Sequence, residues 1–176
     1  MAYIVDSYSE SNYVGTSSLL YSAQSKVGQS FTGDGGILSS AKFYLRKVGS
    51  PTGNAVVKIY AHTGTFGSSS MPTGTSLATS DTFDVSTLTT ANQLINFNFS
   101  GANKIQLIDE TKYVVVIEYS GGDASSYILV GLDATSPTHD GNYYSTYGAS
   151  SSVDTCFYVY ADDTDSIVGP FPTFKR

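Results

Sequence analysis

The sequence of 176 residues has few charged side chains, no tryptophan, two histidines and one cysteine. Charged residues make up 14% of the chain, where about 25% is usual in globular proteins. The nine Lys and Arg residues are scattered among 15 Asp and Glu, and the net charge is −6. A nucleic-acid binder needs a concentrated basic face to displace counterions from phosphates. The sequence therefore predicts neither nucleic acid nor an anionic membrane as a partner.

The sequence also lacks long apolar runs, and none approaches the roughly 20 residues that span a bilayer. The segment from Met1 to Asp6 has neither a basic nor an apolar region, so no signal peptide is predicted in this chain. Virion assembly followed by lysis, or excision from a longer secreted protein, stay open as routes out of the cell. We expect a location on a virion surface or outside the cell.

Cys156 is the only cysteine, which excludes a disulfide within the chain. It lies in the alternating stretch from Asp154 to Tyr160, so we predict a buried thiol in a strand. A nucleophilic cysteine would need a base nearby, and His62 and His139 are the only histidines. A disulfide to another molecule stays open as an alternative.

Known catalytic motifs are missing from the sequence, among them G-x-S-x-G, H-E-x-x-H, the phosphate-binding loop and the dinucleotide fingerprint. His139 and Asp140 beside many serines do not define a triad, because a triad is recognised by geometry. A glycosidase needs two carboxylates about 5–10 Å apart, one with a raised pKa. Glu118 is a candidate, but its place in the alternation predicts a solvent-facing strand residue. We therefore predict a protein that is not an enzyme.

The sequence does contain a clear alternation of apolar and polar residues between Gln29 and Ala61. One set of alternating residues is apolar and predicts a single core face: Ala41, Phe43, Leu45, Val57, Ile59 and Ala61. The residues between them, such as Lys42, Tyr44 and Arg46, belong to the opposite face. With a Gly- and Pro-containing turn at 49–53, the pattern predicts a β-hairpin of strands 37–47 and 55–62.

Further strand patterns recur along the chain, with turns rich in Gly, Pro, Asn and Asp between them. They cover residues 19–23, 27–32, 76–84, 93–100, 112–120, 126–133 and 153–161. No segment has a convincing helical period. The sequence thus predicts an all-β protein: a single antiparallel, jelly-roll-like β-sandwich of about eight to ten strands over residues 1–165. An extended C-terminal tail is predicted at 166–176, and we expect Phe171 and Phe174 in it to contact another subunit.

Two groups of residues are candidates for binding. Asp162, Asp163 and Asp165 follow the last strand and Asp6 lies near the first, so they could hold Ca²⁺ where these strands are neighbours. A solvated acidic turn is the alternative. Asn142, Tyr143, Tyr144 and Tyr147 form a segment suited to sugars or protein partners, because tyrosine combines a stacking face with a hydroxyl. The alternative is that these tyrosines are half-buried structural residues in strands and at the rim of the sandwich.

The order of several segments resembles a known family. These segments are Val27 to Phe31, Lys42 to Leu45, Lys47 to Gly53, Val57 to Ala61, Thr111 to Val115, His139 to Asn142 and Asp154 to Tyr160. From about residue 25 to 161 the chain resembles β-sandwich modules of phage virion proteins and bacterial surface proteins. The resemblance implies a jelly-roll-like sandwich with a display or adhesion role, and it implies no catalytic residues.

The sequence therefore predicts a structural or display protein of a phage-like particle, either a capsid decoration or an accessory tail protein. Its expected partners are other virion proteins or its own subunits. The alternative is a carbohydrate-binding or adhesion module of a surface protein, with glycans as ligands. Assembly state separates the two, because a virion protein forms symmetric oligomers or attaches to a shell.

Overall fold

The computed structural model describes residues 1–163, which form two antiparallel sheets packed face to face. The first sheet contains β1 (Ala2–Tyr8), β2 (Thr16–Leu20), β4 (Ile37–Val48), β8 (Gln93–Asn98), β10 (Tyr127–Asp133), β13 (Asp154–Thr155) and β14 (Phe157–Asp162). The second contains β3 (Lys26–Thr32), β5 (Asn54–Thr63), β6 (Met71–Thr79), β7 (Phe83–Asp84), β9 (Lys112–Glu118), β11 (Tyr143–Ser145) and β12 (Gly148–Ser150). Short 3₁₀ turns lie at Glu10–Asn12, Val85–Thr87 and Gly101–Asn103.

The predicted all-β antiparallel sandwich is confirmed. The described residues contain 14 strands, more than the eight to ten expected, because short strands such as β7, β12 and β13 carry little periodicity. β1 and the β11–β12 hairpin were not predicted at all. The predicted boundary at residue 165 and the tail at 166–176 lie outside the described residues.

Alternation builds the core, since Phe43 and Leu45 of β4 and Val57 and Ile59 of β5 are fully buried. The nearly continuous apolar run in β9 is explained by burial of the strand on both of its sides. β9 lies between β3 and β5, and its outward-facing Val114 and Val116 are also fully buried. They form a small cluster with Tyr60 against which Tyr144 packs. A strand covered on both faces is apolar on both faces.

The hairpin prediction for β4 and β5 was wrong, because the two strands lie in different sheets. β4 pairs with β8, β10 and β14, whereas β5 pairs with β6, β7 and β9. The turn at 49–53 crosses between the sheets, with Gly49 and Gly53 at positive φ of 66° and 92°. The apolar sides of the two strands therefore meet across the core. Ala61, expected in this core, is only half-buried.

The first and last described strands are neighbours in the first sheet. β1 pairs antiparallel with β14, and Ala2 lies opposite Asp162. This pairing brings residues far apart in sequence to one end of the sandwich. Within residues 1–163, no helix has the length and apolar character needed to cross a membrane.

Candidate functional site

The three predicted tyrosines are not brought together on one surface. Tyr143 packs against the main core and shares a hydrogen bond of 2.9 Å with the Ser18 hydroxyl. Tyr144, the next residue of β11, packs on the opposite side of its sheet against the Val114 and Val116 cluster. Tyr147 lies at the turn between β11 and β12 and is 72% exposed. A common stacking platform is thus not formed.

Asn142 has a structural environment. Its side chain is fully buried, and its amide oxygen accepts a hydrogen bond of 2.9 Å from the Ser70 N–H. Its amide NH₂ donates to the carbonyls of Ser70 at 3.3 Å and Tyr143 at 2.9 Å. Asn142 therefore fastens the loop before β6 to the start of β11.

The described aspartates of the predicted metal site are also separated. Asp6 lies opposite Val159, three residues along β14 from Asp162, a separation of about 10 Å. Asp162 forms an ion pair of 3.1 Å with Lys104, and Asp163 lies 3.8 Å from the N-terminal amine. Among residues 1–163, no group of three or more His, Cys, Asp or Glu side chains is placed to hold a metal ion. Asp165, Phe171 and Phe174 lie outside the described residues.

A buried polar network joins the two sheets instead. Gln29 of β3 is fully buried and donates hydrogen bonds to Asp154 of β13 at 2.7 Å and to Nδ1 of His139 at 3.3 Å. Its amide oxygen accepts the Thr155 N–H at 3.0 Å. The Asp154 carboxylate also accepts the His139 N–H at 2.9 Å, while its burial raises the pKa of Asp154. We call Gln29, His139, Asp154 and Asp6 the inter-sheet clasp.

The hydrogen bonds of His139 define its tautomer. Nδ1 accepts from the Gly141 N–H at 2.9 Å as well as from Gln29, so Nδ1 carries no proton. Nε2 is therefore the protonated nitrogen, and it donates to the Asp6 carboxylate at 3.0 Å. Both nitrogens are engaged within the fold, and the side chain is 8% exposed. This arrangement holds strands together and leaves neither nitrogen to activate a serine.

Above Asp6 and His139 lies an open cleft of about 570 Å³, which we call the end cleft. Its walls include the carboxylates of Asp6, Asp34 and Asp140 and the ring of Phe66. The Lys112 Nζ lies 4.6 Å from the centre of the Phe66 ring, so that ring already binds one cation. A second, shallower cleft adjoins it through Asp34 and adds Asp109 and Asp163. The two clefts make this end of the sandwich acidic.

The outer side of the first sheet is a different surface, which is rich in tyrosine. Tyr44 on β4 and Tyr158 and Tyr160 on β14 alternate with buried core residues, so they project away from the core. Tyr13 meets Tyr44 edge-on with ring centres 5.5 Å apart, and Tyr158 stacks on Tyr160 at 6.2 Å. All four are partly exposed. We call these tyrosines, with Lys42 and Arg46, the tyrosine face.

Charged groups complete the tyrosine face. The Lys42 Nζ lies 4.8 Å from the centre of the Tyr160 ring. Glu10 accepts a short hydrogen bond from the Tyr158 hydroxyl, and this bond lowers the pKa of Glu10. Hydrogen bonds from Ser17, Asn92 and Arg46 lower the pKa of Tyr13 despite its burial. The alternation in β4 showed that Lys42, Tyr44 and Arg46 share a side, but only the pairing with β14 adds Tyr158 and Tyr160.

Glu118, the glycosidase candidate, lies on the outer side of the second sheet but is not open to solvent. Its carboxylate lies 2.7 Å from the Lys58 Nζ and 3.3 Å from the Lys26 Nζ, and it accepts the Tyr60 hydroxyl at 2.7 Å. Burial alone would raise the pKa of Glu118, but the hydrogen bonds from Lys58 and Tyr60 lower it. A glycosidase acid needs the opposite shift.

Cys156 is fully buried, as predicted, but it lies in the break between β13 and β14 and not within a strand. Burial raises the pKa of Cys156 to about 12. Because the thiolate is the reactive form, we expect the folded protein to react with a thiol reagent at pH 8 more than about 100-fold slower than the unfolded chain. Titration with and without denaturant measures this, and equal rates would show that the thiol is accessible.

Asp133 provides a pH-dependent contribution to stability. The Thr135 N–H is the main cause that lowers the pKa of Asp133 to about 2, and Tyr8, Ser136 and the Thr135 hydroxyl add to it. Because the folded pKa lies below the unfolded one, this contribution is present above about pH 4 and lost as the pH falls towards 2. We expect Asp133→Asn to lower the free energy of unfolding by about 1–2 kcal/mol at pH 7.

That difference is expected to shrink towards zero near pH 2, which urea unfolding of both proteins between pH 7 and pH 2.5 would measure. A difference that stayed constant over this range would assign the effect to packing instead of charge.

The described residues thus contain an internally bonded clasp and two solvent-facing features, the acidic end cleft and the tyrosine face. The first sequence-based candidates, Tyr143, Tyr144 and Asn142, contribute mainly to packing. No protein-family model, curated protein or solved structure matches the chain.

Proposed function

We propose that this chain is a non-enzymatic structural protein on the surface of a phage-like particle, as a capsid decoration or an accessory tail protein. The tyrosine face is the observation that carries the proposal. It presents Tyr13, Tyr44, Tyr158 and Tyr160 beside Arg46 on paired strands and their flank. Tyrosine and arginine are enriched at protein interfaces, where rigid aromatic side chains supply contact area at low entropic cost.

The edges of the sheets support the same proposal. Of the seven strands within residues 1–163 that pair on one side only, β2, β6, β8 and β12 contain no charged residue, whereas β1, β7 and β13 contain one Asp each. Monomeric proteins commonly place charges on edge strands, because free backbone groups there invite pairing with other chains. Edges of this kind suit a protein whose neighbours in an assembly cover them.

Mass spectrometry of particles purified from a culture that produces this chain tests the proposal. We expect the chain to sediment with the particles at a fixed ratio to the main shell protein. A cytoplasmic protein of the same culture is the control and should be lost on purification. Recovery of the chain only in the soluble fraction would contradict a place in the particle.

The predicted tail supplies a second measurement. If Phe171 and Phe174 contact another subunit, deletion of 167–176 and the double change Phe171→Ala/Phe174→Ala should both abolish assembly. The melting temperature of the isolated protein is expected to change by less than about 2 °C, since these residues would act between subunits. Unchanged assembly of both variants would remove the tail from the interface.

Glycan binding is the second candidate function, and the end cleft is the observation that favours it. The cleft is concave, and it combines carboxylates, which accept hydrogen bonds from hydroxyl groups, with the ring of Phe66. A glycan array with the wild-type chain and Phe66→Ala tests this candidate. Binding that disappears in Phe66→Ala, by a chain that is absent from particles, would reverse the order of the two proposals.

A further inference from the structure

We propose that the tyrosine face of one copy of this chain binds the acidic end of a second copy. This inference deepens the proposed structural role, on which it rests, by naming the contact between subunits. It concerns two different surfaces of the same molecule.

The first observation is unpaired positive charge on the tyrosine face. Among residues 1–163, neither Lys42 nor Arg46 forms an ion pair within 4.0 Å. Glu10 lies near Lys42, and its carboxylate already accepts the Tyr158 hydroxyl, which is the main cause of its lowered pKa. The chain as a whole has a net charge of −6, so a surface with two such cations among tyrosines is locally opposite in sign. It fits a partner that supplies carboxylates.

The second observation is the concave shape and the negative charge of the acidic end, which is the part of the molecule that contains the two clefts. The two adjoining clefts place Asp6, Asp34, Asp109, Asp140 and Asp163 around a concave surface. Asp140 is exposed, and within residues 1–163 its carboxylate has no ion pair. A guanidinium or ammonium group that enters the end cleft meets carboxylates, which accept its hydrogen bonds, beside the Phe66 ring on which Lys112 already lies. Arg46 and Lys42 of a neighbouring copy supply these groups.

The charges favour this contact over a symmetric one. A two-fold contact between two tyrosine faces would bring Lys42 and Arg46 of both copies together, and two acidic ends would repel each other in the same way. A contact between the tyrosine face of one copy and the acidic end of another joins surfaces of opposite charge. Because the two surfaces differ, the contact is heterologous and produces a ring or a filament. Both forms are arrangements that a particle surface or tail uses.

Sedimentation velocity of the purified full chain in 50 mM and 500 mM NaCl tests the inference with two charge-reversed variants. The first is Lys42→Glu/Arg46→Glu on the face, and the second is Asp34→Lys/Asp140→Lys at the end. We expect the wild type to associate at low salt and dissociate at high salt, and each variant alone to be monomeric. An equimolar mixture of the two variants should regain association, because every contact again joins opposite charges.

Lys26→Glu/Lys47→Glu is the matched control for the face variant, since it changes the net charge by the same amount at positions outside both surfaces. It should associate as the wild type does. Circular dichroism of every variant confirms that it is folded. A wild type that stays monomeric at low salt overturns the inference, as does association that survives either reversal or a mixture that fails to recover it.

Different results would contradict the particle role and the face-to-end contact. A monomeric chain that still copurifies with particles would contradict the face-to-end contact alone. A chain that associates face to end but never sediments with particles would contradict the particle role alone. Loss of glycan binding in Asp34→Lys/Asp140→Lys, with a monomeric wild type, would assign the end cleft to a sugar and overturn the contact.

Discussion

Replacement of Gln29 by alanine is expected to lower the free energy of unfolding by about 3 kcal/mol and the melting temperature by about 6–12 °C. Gln29 is fully buried between the sheets, and its amide group bonds to Asp154, His139 and the Thr155 N–H. Its removal leaves a cavity and also leaves Asp154 short of a donor in a buried position. Equilibrium denaturation in urea measures the loss.

Two further variants separate these causes. Gln29→Leu fills most of the volume but cannot form the hydrogen bonds, so we expect a loss close to that of alanine if the clasp is what matters. Gln106→Ala is the matched control, because Gln106 is exposed and bonds only to the Gly35 carbonyl at 3.1 Å among the described contacts. It should change stability by less than about 0.5 kcal/mol. If the Gln29→Leu protein were as stable as the wild type, the hydrogen bonds of Gln29 would contribute nothing to stability and only its packing would matter.

Replacement of Gly28 by alanine is expected to prevent folding, with a loss above about 4 kcal/mol. A Cβ at this position would lie 2.2 Å from the Val115 carbonyl oxygen and 3.0 Å from the Val116 Cα. These are backbone atoms of β9, and β3 is held between β9 and β11, so neither strand can move aside without breaking its ladder. Soluble yield and circular dichroism of the variant report the outcome.

Gly15→Ala is the control for this change. Gly15 has a positive φ of 88°, but a Cβ there would meet nothing within 4 Å. Only the strained backbone conformation would cost free energy, about 1–2 kcal/mol. We therefore expect Gly15→Ala to fold with a lowered melting temperature. Equal behaviour of the two variants would mean that β3 and β9 can separate to admit a methyl group.

Alternation predicted the strands and the sides on which their residues lie, because a period of two depends only on local geometry. It could not predict which strands pair. β4 and β5 each have one apolar side, and that pattern is the same whether two strands lie side by side or face each other across a core. The short strands β11 and β12 were missed because three residues carry too little periodicity.

The candidate sites show the same limit. Tyr44 and Arg46 were placed on an outward side from the sequence. The tyrosine face also needs Tyr158, which the pairing of β14 with β4 brings there, and Tyr13, whose ring contacts Tyr44 from the loop after β1. The inter-sheet clasp joins Gln29 to Asp154, 125 residues apart, and no local signal links them. Polar residues at inward positions, such as Gln29 between Val27 and Phe31, are the signal that could have indicated it.

The pairing of β1 with β14 has a consequence for biosynthesis. Within the described part of the chain, β1 pairs with β14 alone, so β1 has no partner until residue 162 has been made. Completion of the first sheet must then follow translation of β14, and contacts of such long sequence separation form slowly. A chain cut short before β14 would leave β1 unpaired and the 37–43 segment of β4 exposed along one edge. Termination products that lack β14 are therefore expected to be open to proteases.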